Sequence, residues 1–159
     1  MRGKTVVVTG GFGALGRVVA EVAAALGASV AVLDHASAPP EGMAERLGAD
    51  ALLIGGLDLS SPEAATKAMA DVKAKFGRLD ALLNIAGGFQ WETVEGGKGE
   101  TWERMYALNL MTALNACGPR CHISSRAGPD GSSMSGRSRL STPHRGWAPT
   151  RRANPRCTA

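Results

Sequence analysis

The chain has 159 residues and a mass of 16.4 kDa, enough for one modest hydrophobic core. No run of about 18 apolar residues occurs, which excludes a membrane-spanning helix. The N-terminus enters an apolar strand-like run without a signal-peptide pattern, so a cytoplasmic location is expected. The net charge of +4 averages two unlike segments: residues 1–116 carry ten Lys/Arg against thirteen Asp/Glu, whereas residues 117–159 carry eight Arg, no Lys and one acid, Asp130.

The β-branched run Thr5 to Val8 stops at Thr9 and gives way to Gly10, Gly11, Phe12, Gly13, Ala14, Leu15 and Gly16. A strand feeding a glycine-rich turn and then an alanine-rich helix is the opening of a dinucleotide-binding βαβ unit. One glycine makes the turn, one lets backbone approach a pyrophosphate, and one lets helix pack on strand. The helix starting near Ala14 would aim its N–H groups and positive dipole end at phosphates. Its continuation, Arg17 to Leu26, is expected to bury Val18, Val19, Val22, Ala23 and Leu26, with Gly27 as its stop.

Ser29 to Leu33 reads as a second buried strand, and Asp34 follows it at once. An acid at this carboxyl end can accept from the adenosine ribose hydroxyls and would repel a 2′-phosphate, so NAD is expected in preference to NADP. His35, next in sequence, reads as a surface loop residue. Glu41 to Leu47 is a short helix, and Ala51 to Ile54 a third strand running on through Gly55 and Gly56 to Asp58 and Leu59. Ser60, Pro62 and Glu63 form a capping signature for a helix over 62–76, ended by Gly77. Leu79 to Ile85 is a fourth apolar strand closed by Ala86, Gly87 and Gly88. Glu100 to Leu114 is a fourth helix with Trp102, Met105, Tyr106, Leu108 and Leu114 as candidate buried positions. Four βα alternations predict an α/β, Rossmann-like fold: a parallel sheet with helices on both faces, truncated after about four βα units.

Thr9-Gly10 with Gly16, then Asp34, Asp58-Leu59, Asn84-Ile85-Ala86-Gly87 and Asn109 stand in the order and spacing of the short-chain dehydrogenase/reductase family, which residues 1–116 resemble. Two positions depart from the family pattern: Ala14 replaces the middle glycine of the turn, and Ile85 the second Asn of Asn-Asn-Ala-Gly. The resemblance implies an NAD-binding half-domain in which Gly10, Leu15 and Gly16 cradle the pyrophosphate and Asp34 takes the ribose. Asp58 and Leu59 would flank the adenine, and Asn84, Ala86 and Gly87 would line the cofactor at the fourth strand. Asn109 matches the helix Asn that holds a water in the family's proton relay. The implied activity is hydride transfer between nicotinamide and a small carbonyl or alcohol substrate, with homo-oligomers expected of an intact member. Trp91 and Glu92 would lie on the substrate side.

That chemistry needs a Tyr acid/base tuned by a Lys four residues on, with a Ser to orient the substrate oxygen. The single tyrosine, Tyr106, has Leu110 at the fourth position after it, and no Lys occurs beyond Lys98. The catalytic tetrad is therefore represented by Asn109 alone, and no turnover is expected of the chain as written.

Residues 117–159 are dominated by Arg, Ser, Gly and Pro and show no apolar periodicity, which predicts a disordered basic tail. Its cysteines and histidines have no metal-ligand spacing. Three readings follow: an oxidoreductase by descent, a noncatalytic nucleotide-binding module, or a basic nucleic-acid arm, against which the loose arginine spacing argues. The genetic code offers an origin for the tail. Joining the last base of each codon to the first two of the next permits Arg-Ala-Ala-Leu-Pro-His-Leu-Leu from Cys117, which would continue the fourth helix. It permits Arg-Ile-Val-Asn-Val-Gly from Asp130, which matches the family's fifth strand, and a Tyr-x-x-x-Lys motif between Gly146 and Pro155. The tail thus reads as the frameshifted translation of an ordinary family gene. Without a fifth strand, Ala81 to Ile85 would be an uncovered edge, so weak or no cofactor binding and poor solubility are expected.

Overall fold

The computed structural model describes residues 1–124, with side chains through Gly118. Four parallel strands, β1 (Thr5–Thr9), β2 (Ser29–Leu33), β3 (Leu52–Ile54) and β4 (Ala81–Asn84), form one sheet in the order β3-β2-β1-β4. The helices are α1 (Ala14–Ala25), α2 (Met43–Leu47), α3 (Pro62–Phe76), α4 (Gly99–Tyr106) and α5 (Thr112–Ser124), with a π-helical turn, Ala107–Met111, between the last two.

The alternation of β1 divides the core. Val6 and Val8 pack with Ala20 and Ala23 of α1 and with Met43, while Val7 packs with Ala68, Met69 and Val72 of α3 and with Ala116 of α5. All three valines are fully buried, as expected of a central parallel strand covered on both faces. The α/β architecture of the sequence reading holds, with helices on both faces.

Several local expectations fail for identifiable reasons. Helix α1 turns Gly16, Ala20 and Ala23 to the sheet, because its smallest residues allow the closest approach. Val18, Val22 and Leu26, expected inside, are each more than half exposed. The cap of α3 is Ser61 rather than Ser60: its hydroxyl accepts from Ala64 N–H and donates to the Glu63 carboxylate. The single fourth helix is interrupted by the π-helical turn, which resets the helical phase. Met105 and Leu108 are half-buried there, but Trp102, Tyr106 and Leu114 are exposed. Helix α5 runs past the change of composition at Cys117 to Ser124. The remainder of the basic tail, including the positions at which the shifted frame permits a strand and the Tyr-x-x-x-Lys, lies outside the described residues.

Among the described residues β4 pairs only with β1, and Leu83 and Asn84 on it are exposed. The opposite end of β4 is tied down strongly. Asp80 accepts from Thr5 N–H at 2.8 Å, from Arg78 Nε at 2.7 Å and from Lys4 Nζ at 3.2 Å. These contacts, led by Arg78, hold its carboxyl well below the usual range. No helix of the described residues is long and apolar enough to cross a membrane.

Candidate functional site

The order β3-β2-β1-β4 means that the chain leaves β1 toward β2 on one side and returns to β4 on the other. Ligands of open α/β sheets bind where connections diverge in this way, at the carboxyl ends of the strands. A cleft of about 540 Å³ lies there. Its walls come from the glycine-rich loop, the ends of β2 and β3, the loop after β4, and the π-helical turn with the start of α5.

The glycine-rich loop is packed to the limit. Gly10 has φ +65, its N–H donates to Leu33 O at 2.8 Å, and a Cβ there would lie 2.7 Å from the Ala86 backbone. A Cβ on Gly16 would lie 2.2 Å from Gly10 O, and one on Gly11 2.2 Å from Val32 Cγ1. The loop therefore folds against its own helix, and the helix begins at the cleft. Helix α1 has no side-chain cap and no acid in its first turn. Helix α3 is closed by Ser61 and Glu63, so the contrast leaves the α1 amides and dipole available to an anion. Ala14, Leu15 and Gly16 all line the cleft, and Ala14 occupies its departure from the family pattern without blocking the opening.

Asp34 ties the loop to the sheet. One carboxylate oxygen accepts from Phe12 N–H at 2.8 Å and the other from Ala36 N–H at 2.9 Å. Each oxygen keeps a second lone pair for a hydroxyl donor. Asp58 accepts from Ser60 N–H at 2.8 Å and Ser60 Oγ at 2.6 Å. These bonds hold its carboxyl below the ordinary value, and the charge of His35 acts in the same direction. The turn is braced from α5, where Asn115 Nδ2 donates to Leu59 O and Ser60 O at 3.0 and 2.9 Å.

Thr9 joins the two sides of the switch point. Its hydroxyl accepts from Ile85 N–H at 3.1 Å and Ala86 N–H at 3.2 Å, fixing the loop after β4 against the end of β1. Gly87 and Gly88 continue beneath the π-helical turn, where Cβ atoms would lie 2.7 Å from Asn109 Oδ1 and Leu108 Cδ2 respectively. Asn109 clamps this loop: Gly88 N–H donates to its Oδ1 at 3.1 Å, and its Nδ2 donates to Gly88 O and Met105 O, both at 2.9 Å. Both amide hydrogens of Asn109 are thereby engaged in holding backbone.

Of the residues assigned to the cofactor, Gly10, Leu15, Gly16, Asp34, Asp58, Leu59, Ala86 and Gly87 all line the cleft. Asn84 does not; its Nδ2 donates to Cys117 Sγ at 3.4 Å. Asn109 is exposed and is not in the lining, whereas Leu108 and Thr112 are in it. Phe12, His35, Leu57 and Thr112 also line the cleft and were not assigned a role from sequence. For His35 the adjacency to Asp34 was an available signal; for Thr112 nothing precedes the packing of α5. Trp91 is exposed, and the Glu92 carboxylate accepts Lys98 N–H at 2.6 Å, closing its own loop. Tyr106 is exposed on α4 and is not part of the lining. Among the described residues no group of three His, Cys, Asp or Glu side chains could hold a metal.

Comparison with known proteins agrees with this geometry. The short chain dehydrogenase family profile matches residues 4–122. A short chain dehydrogenase/reductase of Macrophomina phaseolina is 35% identical over 118 residues, covering 69% of this chain and 65% of that protein. The human 3-hydroxyacyl-CoA dehydrogenase type-2 is 33% identical over 121 residues, covering 72% and 46%. The D-threitol dehydrogenase of Mycolicibacterium smegmatis is 33% identical over 117 residues, covering 72% and 45%. A crystal structure of a glucose/ribitol dehydrogenase of the short-chain dehydrogenase/reductase type from Brucella melitensis superposes with a TM-score of 0.72 at 28% identity, covering 77% of this chain and 53% of that one. The chain thus spans about half to two thirds of the length of these relatives. It belongs to the short chain dehydrogenase family, whose members act on small molecules with NAD(P) cofactors, and carries that family's N-terminal part.

Proposed function

We propose that this chain is the dinucleotide-binding half of a cytoplasmic oxidoreductase that transfers hydride between NAD and a carbonyl or alcohol substrate, binding NAD weakly and more tightly than NADP. The observation that carries the reading is the cleft itself. Glycine cradles that a single Cβ would fill, an uncapped helix start and an acid at the end of β2 occur together around one opening. Gly10, Leu15 and Gly16 would hold the pyrophosphate, because they line the opening at the uncapped start of α1. Asp34 would accept from the ribose hydroxyls with its remaining lone pairs. No Lys or Arg lines the cleft, so a 2′-phosphate would meet carboxylate without a compensating cation. When bound, the dinucleotide supplies a nicotinamide ring as hydride donor or acceptor.

The proton half of the reaction falls to protein side chains. A proton donor must lie within hydrogen-bond reach of the substrate oxygen, and the described cleft holds no Tyr or Lys. Asn109 would act by positioning the Gly87-Gly88 loop through its two bonds to Gly88. We propose that the chain as written binds without turnover and that its tail is read out of frame. Titration of the full chain to millimolar NAD and NADP, followed by ligand-observed NMR, tests the binding; NADP binding as tightly as NAD at pH 8 would refute the assigned preference. The coding sequence tests the tail: bases at Pro149/Thr150 and Ala153/Asn154 that do not spell Tyr and Lys codons in the shifted frame would dismiss the frameshift. Self-association belongs to the same reading, supported by exposed Trp102, Tyr106, Leu110 and Leu114 along α4, the π-helical turn and α5.

A further inference from the structure

The segment that runs from the π-helical turn into α5 grips both walls of the cleft at once. On the β4 side Asn109 holds Gly88 by its N–H and its carbonyl. Further along the same segment, Asn115 reaches the β3 side, where its Nδ2 donates to Leu59 O at 3.0 Å and to Ser60 O at 2.9 Å. A primary amide has two N–H groups, and this turn takes both. The helix that carries Asn115 is itself fixed: Thr112 and Ala116 are buried, Ala116 against Val7, Met69 and Val72. The turn has other bonds, but they do a different job. Asp58 shapes it from within through Ser60, and Leu57 N–H donates to Asp34 O at 2.9 Å at its entry. Asn115 supplies its attachment to α5.

We propose that Asn115 is a positioning residue for the adenine end of the dinucleotide, holding the Asp58–Leu59 turn at the spacing at which the base is gripped. The inference rests on the dinucleotide reading of the same cleft. Asn115 is not in the lining, whereas Asp58 and Leu59 are, so it acts through the turn and not by touching the ligand. A flat ring held by apolar contact is sensitive to spacing, because a gap of roughly 0.5–1 Å forfeits a quarter to a half of each contact. Volume alone cannot keep that spacing. A leucine at 115 fills much the same space but leaves the carbonyls of Leu59 and Ser60 without these donors, and such groups turn toward water. An aspartate would set carboxylate oxygens against both carbonyls. The opposite wall keeps its own fastenings in Thr9 and Asn109, so the effect of a change at Asn115 is confined to one end of the ligand.

The experiment compares the full chain with its Asn115→Leu variant and, as a control for stability alone, with Asp80→Asn, whose bonds lie at the opposite end of β4. Circular dichroism melts establish that each protein is folded. Saturation-transfer NMR then reads two quantities: the dissociation constant of AMP, and the ratio of saturation at the adenine protons of NAD to that at its nicotinamide protons. Asn115→Leu is expected to weaken AMP about fivefold, the worth of about one net hydrogen bond. The adenine-to-nicotinamide ratio should fall by about half as the base loses contact. Asp80→Asn should melt lower and leave both readouts unchanged. Asn115→Ala, which cannot overpack the site, carries the same expectation as the leucine variant and replaces it if that protein does not fold. A folded Asn115 variant that binds AMP as the parent does, or that loses saturation equally at the two ends of NAD, would overturn the positioning role and leave the dinucleotide site standing. A folded unmodified chain that binds neither AMP nor NAD would overturn both.

Discussion

Gly16→Ala adds a single methyl group at the tightest contact between the glycine-rich loop and α1. The new Cβ would stand 2.2 Å from Gly10 O, 2.6 Å from Gly11 Cα and 2.8 Å from Gly10 C. Side-chain carbons essentially never approach closer than 3.0 Å, so loop and helix must separate by about 0.8 Å or more. The neighbours are backbone, and Gly10 is itself held by Leu33 O and by the Ala86 backbone, leaving no flexible side chain to yield. Overpacking of this kind costs about 1–3 kcal/mol. Alanine recovers at most about 1 kcal/mol as a better helix former, for a net loss of about 2 kcal/mol at the upper end. In a domain of this size that lowers Tm by roughly 6–10 °C. Gly13→Ala is the matched control, because its Cβ would meet only Gly10 O, at 3.3 Å, with φ −71; a change of about 1–2 °C is expected there. Circular dichroism melts of the three proteins, with nucleotide titration of each, provide the assay. A Gly16→Ala protein that melts with the parent, or a Gly13→Ala protein equally damaged, would show that the loop is not packed against α1 in this way.

Three further outcomes follow from other contacts. Asp34→Ala leaves Phe12 N–H and Ala36 N–H without their acceptor, so a loss of about 1–2 kcal/mol in urea unfolding is expected, along with weaker binding of NAD; unchanged stability would mean that the carboxylate does not hold the loop. Asp80→Asn should cost about 1–2 kcal/mol at neutral pH. Because the folded carboxyl lies below its unfolded value, this contribution is complete above the ordinary carboxylate pKa of about 3.9 and is lost only as pH falls toward the depressed folded value. The gap between variant and parent in urea midpoint should therefore stay constant from pH 8 to pH 5, and a gap that closes between pH 8 and pH 6 would contradict the assignment. Leu83→Lys places a charge on the open edge of β4 and should reduce concentration-dependent light scattering without lowering Tm by more than about 1 °C; unchanged scattering would locate self-association elsewhere, with the exposed apolar stripe of α4 and α5 as the next surface to alter.

How far the fold could be read in advance depended on backbone-determined features. The runs Thr5 to Val8 and Ser29 to Leu33 and the turn glycines carry period and conformation within a few residues, so β1, β2 and the cradle were legible. The orientation of α1 was not. Large apolar residues at Val18, Val22 and Leu26 look like a buried stripe, but Gly16, Ala20 and Ala23 permit a closer fit to the sheet, and the energetic advantage belongs to the pair of surfaces rather than to the helix alone. The π-helical turn was equally hidden, since nothing in residues 107–111 signals it locally. It accompanies a contact with Gly87 and Gly88, which are distant in sequence. The loop residues that line the cleft were legible because their motifs are local. Thr112 and the bracing Asn115 were missed because their roles arise only when α5 packs on the turn after β3.

These contacts also explain how the cleft can retain its form beside an open sheet edge. The residues that define it are held from the covered side: Gly10 by Leu33, Phe12 by Asp34, and the turn at Asp58 by Ser60 and Asn115. Only the wall after β4 depends on the edge strand, and there Thr9 reaches across from the central strand to fix Ile85 and Ala86, while Asn109 grips Gly88 from the other side. Fraying of β4 at Leu83 and Asn84 would thus disturb the β4 side of the cleft, where the nicotinamide is proposed to lie, before the β2 side proposed for the adenosine. It follows that adenosine fragments should lose less affinity on raising temperature than the whole dinucleotide does. A parallel loss for AMP and NAD between 10 and about 35 °C, within the folded range, would show instead that the two ends of the cleft open together.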